Sequence, residues 1–240
     1  MSTCWAAPLG DCKGGITGEH LFSKAIFTGK NVEIRGAPWF KGERKAISLA
    51  AAVGNVLCEY HNHTLGEYAD PAAKLLREAM QDSVRNRPVP GTACVRSPGG
   101  VLLPRPRVII SGPHLGAWLC KTHCNMIANT GGTPAIEYVR YAFEPRNPAI
   151  YFYYPHGVGE NVGFTDLANT SYINFSEPGE PFAIQICGHW MLVALQPTLV
   201  EQRYLSRPRE IRFATLTLEL DWRDDPPPDE PATYLEGQGP

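Results

Sequence analysis

The feature that most constrains the fold is a set of metal-ligand residues. Cys58 and His61 stand two residues apart in the stretch NVLCEYHNH, and Cys4 and Cys12 form a second pair near the start of the sequence. A two-residue gap lets one turn present both side chains to one ion. Zinc is usually held by four thiolate and imidazole ligands that come as pairs from separate loops. These four residues are therefore predicted to bind structural zinc.

The Cys4–Cys12 pair is the less regular of the two. Seven residues, WAAPLGD, separate these cysteines instead of the usual two to four, and a Pro-Leu-Gly turn within them would fold the chain back. The alternative is that Cys4 lies in a disordered N-terminus and that Cys12 is incidental. A second group, Cys120 and Cys124, shares one face of a predicted helix. No matching pair accompanies it, so core packing is favoured there over metal binding.

Composition describes an ordinary globular chain of one large or two small domains. Of the 240 residues, 43% are hydrophobic and 19% are charged. No apolar run approaches the ~20 residues of a membrane-spanning helix. The first residues also lack the basic and apolar segments of a secretory signal. We therefore expect a cytoplasmic protein whose seven cysteines are thiols or metal ligands.

The net charge of −2 argues by itself against a nucleic-acid partner. Its distribution weakens that objection, because residues 1–96 hold 12 Lys and Arg against 9 Asp and Glu. Residues 97–240 hold 10 against 15, and the acids concentrate in a Pro-rich tail. The N-terminal part is mildly basic, which is not in itself typical of a DNA-binding protein.

A Pro- and Gly-rich stretch at residues 86–107 separates two segments of different texture. Before it, residues 70–86 are predicted to form a helix capped by Asp70, with Pro71 in its first turn. After it come a predicted helix at residues 114–129 and several runs of β-branched and aromatic residues. We predict an α+β protein with an N-terminal domain at 1–95, a β-rich domain at 105–222 and a flexible tail at 223–240.

The order Cys…Cys…Glu-His…Asn-Val-Leu-Cys-x-x-His-Asn resembles the HNH endonucleases, in particular the zinc-stabilised branch with a ββα-metal core. The resemblance covers about residues 4–68. It implies that His20 is the general base, that Asn55 braces the loop carrying this base, and that Glu19 and Asn62 hold a catalytic Mg²⁺ or Mn²⁺. Glu19 stands where the family most often has Asp. The implied structural zinc ligands are Cys4, Cys12, Cys58 and His61.

The chemistry of phosphodiester hydrolysis suits these residue types. A histidine titrates near neutral pH and serves as a base for water. A hard cation held by oxygen ligands neutralises charge on the phosphorane and the leaving oxygen. The resemblance implies DNA cleavage that leaves 5′-phosphate and 3′-hydroxyl ends, with RNA not excluded as a substrate. Asn62 has an alternative reading as a helix-start residue, and the neighbouring His63 is a rival for its position.

Basic residues between His20 and Asn55 are candidates for phosphate contact, the alternative being a solvated hairpin. The candidate contacts are Lys24, Lys41, Arg44 and Lys45, and Lys30 and Arg35 lie in the same segment. A non-enzymatic alternative for the whole N-terminal domain is a zinc-stabilised DNA-binding module that has lost cleavage. A thiol hydrolase built on Cys58 and His61 is disfavoured by their geometry on adjacent helical turns. Residues 105–222 are hypothesised to select the DNA target or to sense a signal that licenses cleavage, as in a bacterial antiviral defence or restriction-type nuclease, and they could also form a homo-oligomer.

Overall fold

The computed structural model describes residues 4–27, 29–35, 43, 45–85, 87–89 and 92–146, and shorter segments at 151–155, 172–175, 182–186, 189–194, 204–206, 209–212 and 216–223. The helices among them are α1 Glu59–Arg85, α2 Gly112–Asn129 and α3 Ile136–Phe143, with 3-10 turns at Ala7–Leu9, Lys24–Ile26 and Leu49–Ala51. The strands are β1 Ile16–His20, β2 Asn31–Arg35, β3 Lys45–Ser48, β4 Val53–Cys58, β5 Arg87–Pro88, β6 Cys94–Arg96, β7 Leu102–Pro104, β8 Arg107–Ser111, β9 Tyr151–Pro155, β10 Tyr172–Phe175, β11 Phe182–Ile186, β12 His189–Ala194, β13 Tyr204–Ser206, β14 Glu210–Arg212 and β15 Thr217–Asp221. The fold is mixed α+β, as the sequence predicts.

The N-terminal unit is an antiparallel pair of strands followed directly by a helix. Strand β1 pairs with β4, and the register shifts between Thr17 and Gly18. Helix α1 begins at the residue after Cys58, where the amide of Glu59 donates to the carbonyl of Gly15 at 3.0 Å. The loop before β1 thus satisfies a backbone donor that a helix N-terminus leaves without an intrahelical partner. This contact ties the loop that carries Cys12 to the start of α1.

Helix α1 starts earlier than the predicted helix at 70–86. Asp70 is not its cap, because it lies within the helix and binds Lys121, and Pro71 also lies inside the helix. The apolar face explains the difference. Leu65, Ala69 and Leu76 are buried at helical spacing on both sides of Asp70. Because this apolar face packs along its whole length, the chain stays helical at Asp70 and Pro71, where the sequence signals predict a helix start.

Helix α2 lies in the centre of the core. Ser111 caps it, its hydroxyl accepting from the amide of His114 at 3.3 Å, and nearly every residue from Gly112 to Met126 is buried. The predicted helix at 114–129 is therefore confirmed. Cys120 and Cys124 are both fully buried, which bears out core packing for this pair, and burial raises the pKa of the Cys124 thiol.

Strand pairing crosses the predicted boundary between residues 95 and 105. The largest sheet has the order β13-β9-β12-β11-β10-β2-β3, so β2 from the N-terminal part pairs in parallel with β10 from the C-terminal part. One hydrophobic cluster also runs from Trp5 to Trp222. The predicted linker contributes a small sheet of β5, β6 and β7. The described parts of the two predicted domains therefore share one core.

Candidate metal centre and active site

Three thiols and one imidazole converge at the start of helix α1. The ligand atoms of Cys4, Cys12, Cys58 and His61 all lie within 4.8 Å of one another. The three sulfurs stand 3.4, 3.6 and 3.2 Å from Nδ1 of His61. In a zinc tetrahedron with bonds of about 2.3 Å to sulfur and 2.0 Å to nitrogen, the sulfur–nitrogen edge is about 3.5 Å. This Cys₃His cluster can bind a metal such as zinc.

The predicted Pro-Leu-Gly turn brings Cys4 and Cys12 together. Residues Ala7–Leu9 form a 3-10 turn that ends at Gly10, whose φ of 85° lies in the left-handed region that glycine adopts readily. The amide of Trp5 donates to the carbonyl of Val56 at 3.0 Å, which fixes the N-terminal segment beside β4. Both ligand pairs therefore meet where β4 passes into α1.

Asp11, which the metal-ligand pattern of the sequence does not include, supports the histidine ligand. Its Oδ1 lies 2.7 Å from Nε2 of His61, a ring that is fully buried. A carboxylate accepts the Nε2 proton, so the lone pair of Nδ1 faces the three sulfurs. Metal-binding histidines commonly donate their second nitrogen to such a carboxylate. The signal was present in the sequence, because Asp11 immediately precedes Cys12.

The thiols differ in how readily they ionise without a metal. Burial raises the pKa of Cys58, but backbone hydrogen bonds from His61 and Lys13 outweigh it and lower this pKa to about 7. Burial and the neighbouring Cys4 raise the pKa of Cys12 to about 12, and burial also raises the pKa of Cys4. Crowded thiolates repel one another, and a bound cation removes that repulsion. The ionised cluster is therefore electrostatically more favourable with a metal ion bound than without one.

His20 closes strand β1 as a half-buried imidazole. Its Nδ1 is buried and has no hydrogen-bond partner among the described residues. Burial lowers the pKa of His20, and the cations of Lys24 and Lys121 lower it further. A neutral imidazole at neutral pH can accept a proton, which is the state that a general base requires.

The register of the strands shows which predicted residues share a face. Gly18 pairs with Asn55 and His20 pairs with Val53, and cross-strand partners lie on the same side of a sheet. A Cβ built on Gly18 would lie 3.8 Å from Oδ1 of Asn55, so this amide lies over the backbone two residues before His20. Asn62 reaches the same strand from α1, donating from Nδ2 to Oγ1 of Thr17 at 3.0 Å.

Glu19 occupies a different environment from the one predicted. It pairs with Gly54, so alternation turns its side chain to the other face of β1 from His20. The carboxylate is buried and forms an ion pair with Nζ of Lys121 at 2.8 Å. Burial raises its pKa, although Lys121 opposes that shift. The ion pair with Lys121, whose ammonium also contacts Asp70, counts against the prediction that Glu19 and Asn62 share one catalytic ion.

The predicted substrate contacts are described only in part. Lys24 is exposed in the turn after β1, and Lys45 is exposed at the start of β3, 3.4 Å from Glu43. Lys41 and Arg44 lie outside the described residues. His63 is exposed on α1 and pairs with Glu67 at 3.2 Å, away from the metal cluster.

Comparison with known protein families, curated proteins and solved structures found no match. None of the helices in the described part of the chain combines the length and apolar character that crossing a membrane requires.

Proposed function

We propose that this protein is a metal-dependent endonuclease of the zinc-stabilised HNH type that hydrolyses DNA phosphodiester bonds. The observation that carries the proposal is the joint arrangement of β1, β4 and α1. His20 ends the first strand, Asn55 lies across from Gly18 two residues earlier on that strand, Asn62 lies in the first turn of α1, and the Cys₃His cluster lies at the junction between strand and helix. This arrangement supports the proposal, because the base, both asparagines and the metal cluster come from one pair of strands and the helix that follows it.

In the proposed reaction, His20 takes a proton from water through a neutral ring nitrogen. The resulting hydroxide attacks phosphorus and the bond between phosphorus and the 3′ oxygen breaks. The leaving oxygen takes a proton from solvent to become a hydroxyl, and the imidazolium of His20 releases its proton to solvent. The lowered pKa of His20 supports this role, since the base is unprotonated at neutral pH. The products carry 5′-phosphate and 3′-hydroxyl ends.

A catalytic Mg²⁺ or Mn²⁺, when bound, would neutralise negative charge on the phosphate. Asn62 is the residue best suited to hold it. Its Nδ2 donates to Thr17, which orients the amide and leaves Oδ1 as the atom that a hard cation takes. Magnesium keeps several waters and uses substrate phosphate oxygens, so a small protein contribution is sufficient. Glu19 would influence the site through its ion pair with Lys121 and not as a ligand of this ion.

The ion pair of Glu19 with Lys121 favours an alternative function, because it occupies a carboxylate that a catalytic ion would otherwise use. In this alternative, the zinc-stabilised unit binds DNA without cleaving it. Cations such as Lys24 and Lys45 would then contact phosphates, and binding would weaken as salt increases. The two functions differ in one observable, which is turnover.

The test is cleavage of supercoiled plasmid in Mg²⁺ or Mn²⁺ by the wild type, His20→Ala and His63→Ala at equal zinc content. His63 is a matched control, since it is an exposed histidine whose recorded ion pair is with Glu67. We expect His20→Ala to lose about 10²- to 10⁴-fold in rate, the usual effect of a general base, and His63→Ala to retain activity. Equal cleavage by the wild type and His20→Ala would refute the assignment. Plasmid binding without cleavage by any of the three would favour the alternative function.

A further inference from the structure

A pair of polar residues on helix α2 faces the Glu19–His20 dipeptide. Lys121 and Asn125 are 1% and 0% exposed although both are strongly polar. They stand four residues apart and therefore lie on one face of the helix. Buried polar groups of this kind are retained only where they have partners. Lys121 contacts Glu19 and Asn125 contacts His20, the two residues that end strand β1.

Lys121 joins three elements through one ammonium group. Its Nζ lies 2.8 Å from Oε1 of Glu19 on β1 and 3.0 Å from Oδ1 of Asp70 on α1. An unpaired ammonium in the core would be very unfavourable, so two carboxylates around one cation form a closed arrangement. Any displacement of α2 would therefore move Glu19 as well.

Asn125 fixes the backbone of the catalytic histidine. Its Nδ2 donates to the carbonyl of His20 at 3.2 Å, and its Oδ1 accepts from Nε1 of Trp5 at 2.8 Å. Trp5 directly follows the metal-cluster residue Cys4. One amide thus links the end of β1, the metal-binding loop and α2.

From these contacts, and resting on the proposed function, we propose that Lys121 and Asn125 are positioning residues for His20. Helix α2, which the sequence places in a separate accessory domain, then forms part of the nuclease site. Lys121 holds the side chain of Glu19, the neighbour of His20, and adds a positive charge near the imidazole. Asn125 holds the main chain from which the imidazole projects. A base displaced by about 1 Å can lose about 10²-fold in rate.

In addition to burial, Lys121 lowers the pKa of His20. The charged groups that act on His20 are Lys24 from the following 3-10 turn, Lys121 from α2 and Asp70 from α1. Replacing Lys121 by Met removes a cation and leaves two carboxylates without their partner. The pKa of His20 should then rise, because both changes favour the protonated ring. The rate of cleavage would reach its plateau at a higher pH.

The experiment uses the full chain and three substitutions: Lys121→Met, Asn125→Ala and the control Lys74→Met. Lys74 is an exposed lysine whose recorded ion pair is with Glu78 at 3.8 Å on the surface of α1. Two quantities are measured, namely the pH–rate profile of plasmid cleavage and the NMR titration of the His20 ring, assigned with His20→Ala. We expect Lys121→Met to move both midpoints to higher pH and Lys74→Met to leave them unchanged.

For Asn125→Ala we expect kcat to fall about 10- to 100-fold with KM unchanged. Trp5→Phe is the second control, because it removes the other hydrogen bond of Asn125 and keeps the bond to His20. A similar loss of kcat in Trp5→Phe would mean that the metal loop, not the backbone of His20, explains the effect. That result would overturn the role of Asn125.

If the pH–rate profile and the His20 titration of Lys121→Met have the same midpoints as those of the wild type, the role of Lys121 is overturned. If Lys121→Met does not fold, Lys121→Arg is titrated instead. Because Arg retains the cation, it should keep the His20 midpoint near that of the wild type, and a midpoint moved to higher pH would count against the electrostatic role. If the wild type cleaves no substrate but the His20 titration still moves in Lys121→Met, the nuclease assignment fails while the coupling of α2 to His20 stands.

Discussion

The contact between Asp11 and His61 predicts a graded loss of zinc affinity. Removing such a carboxylate typically weakens metal binding 10- to 100-fold. The Asp11 side chain is 48% exposed, so solvent screens its charge and the lower end of the range applies. Asp11→Ala should therefore weaken zinc binding about 10-fold, equivalent to about 1.4 kcal/mol.

Asp11→Asn separates the charge from the hydrogen bond. Its amide oxygen can still accept the Nε2 proton of His61, but a neutral acceptor makes a bond about half as strong as a charged one. Half of the free energy lost in Asp11→Ala corresponds to about a 3-fold weaker zinc affinity. The expected order of affinity is thus wild type, Asp11→Asn and then Asp11→Ala.

The assay is competition for zinc against a chromogenic chelator at fixed pH, using the full chain. Glu67→Gln is the matched control, because Glu67 also pairs with a histidine, His63, but both side chains are exposed and outside the cluster. This variant should bind zinc like the wild type. An Asp11→Ala affinity within 2-fold of the wild type, or an equal loss in Glu67→Gln, would refute the supporting role of Asp11.

Further predictions concern stability. Chelation of a metal present at about 100-fold its Kd should lower the melting temperature by about 5–10 °C, measured by differential scanning fluorimetry, and a change below 2 °C would count against a structural metal. Gly112→Ala should destabilise by about 1–3 kcal/mol, because the new methyl group would overlap the Trp222 indole, whereas Gly66→Ala should stabilise by about 0.5–1 kcal/mol, since nothing lies within 4 Å and alanine favours helix. Urea unfolding compares both with the wild type, and destabilisation by Gly66→Ala would contradict the packing described for it. Burial beside the Tyr138 ring lowers the pKa of His123 from 6.5 to about 4, so between these values the unfolded chain binds more protons than the folded chain. The free energy of unfolding should therefore fall by up to about 3 kcal/mol as the pH decreases through this range. Urea unfolding of His123→Gln should show a smaller fall over the same range, and an unchanged pH dependence would contradict this.

Local spacing was enough to predict the metal cluster. Cys58 and His61 lie on one turn, and Pro8 and Gly10 mark the reversal between Cys4 and Cys12, so short-range geometry determines which ligand atoms meet. The start of helix α1 was not predictable in the same way. Asp70 has the chemistry of a cap, but a lysine from another helix binds it, and this partner is not visible in the local sequence.

The environment of Glu19 shows a second limit of sequence reasoning. Its position beside His20 suggested a shared role, but neighbouring residues of a strand point to opposite faces. Which face meets α2 depends on packing between distant segments. The pairing of β2 with β10 is equally hidden, since strand texture does not specify a parallel neighbour from the other half of the chain.

The hydrogen bond between His20 and Asn125 joins residues 105 positions apart, whereas the metal ligands fall within the first 61 residues. These separations imply an order of events during synthesis. A ribosome-bound chain can expose the complete cysteine and histidine set and bind zinc while α2 is still being made. The contact of Asn125 with the backbone of His20 can form only after α2 has been synthesised, and β2 can pair with β10 only later still. We therefore expect a nascent chain to fold its metal site early and to complete the surroundings of His20 late, so that the proposed nuclease activity would appear only after α2 is made.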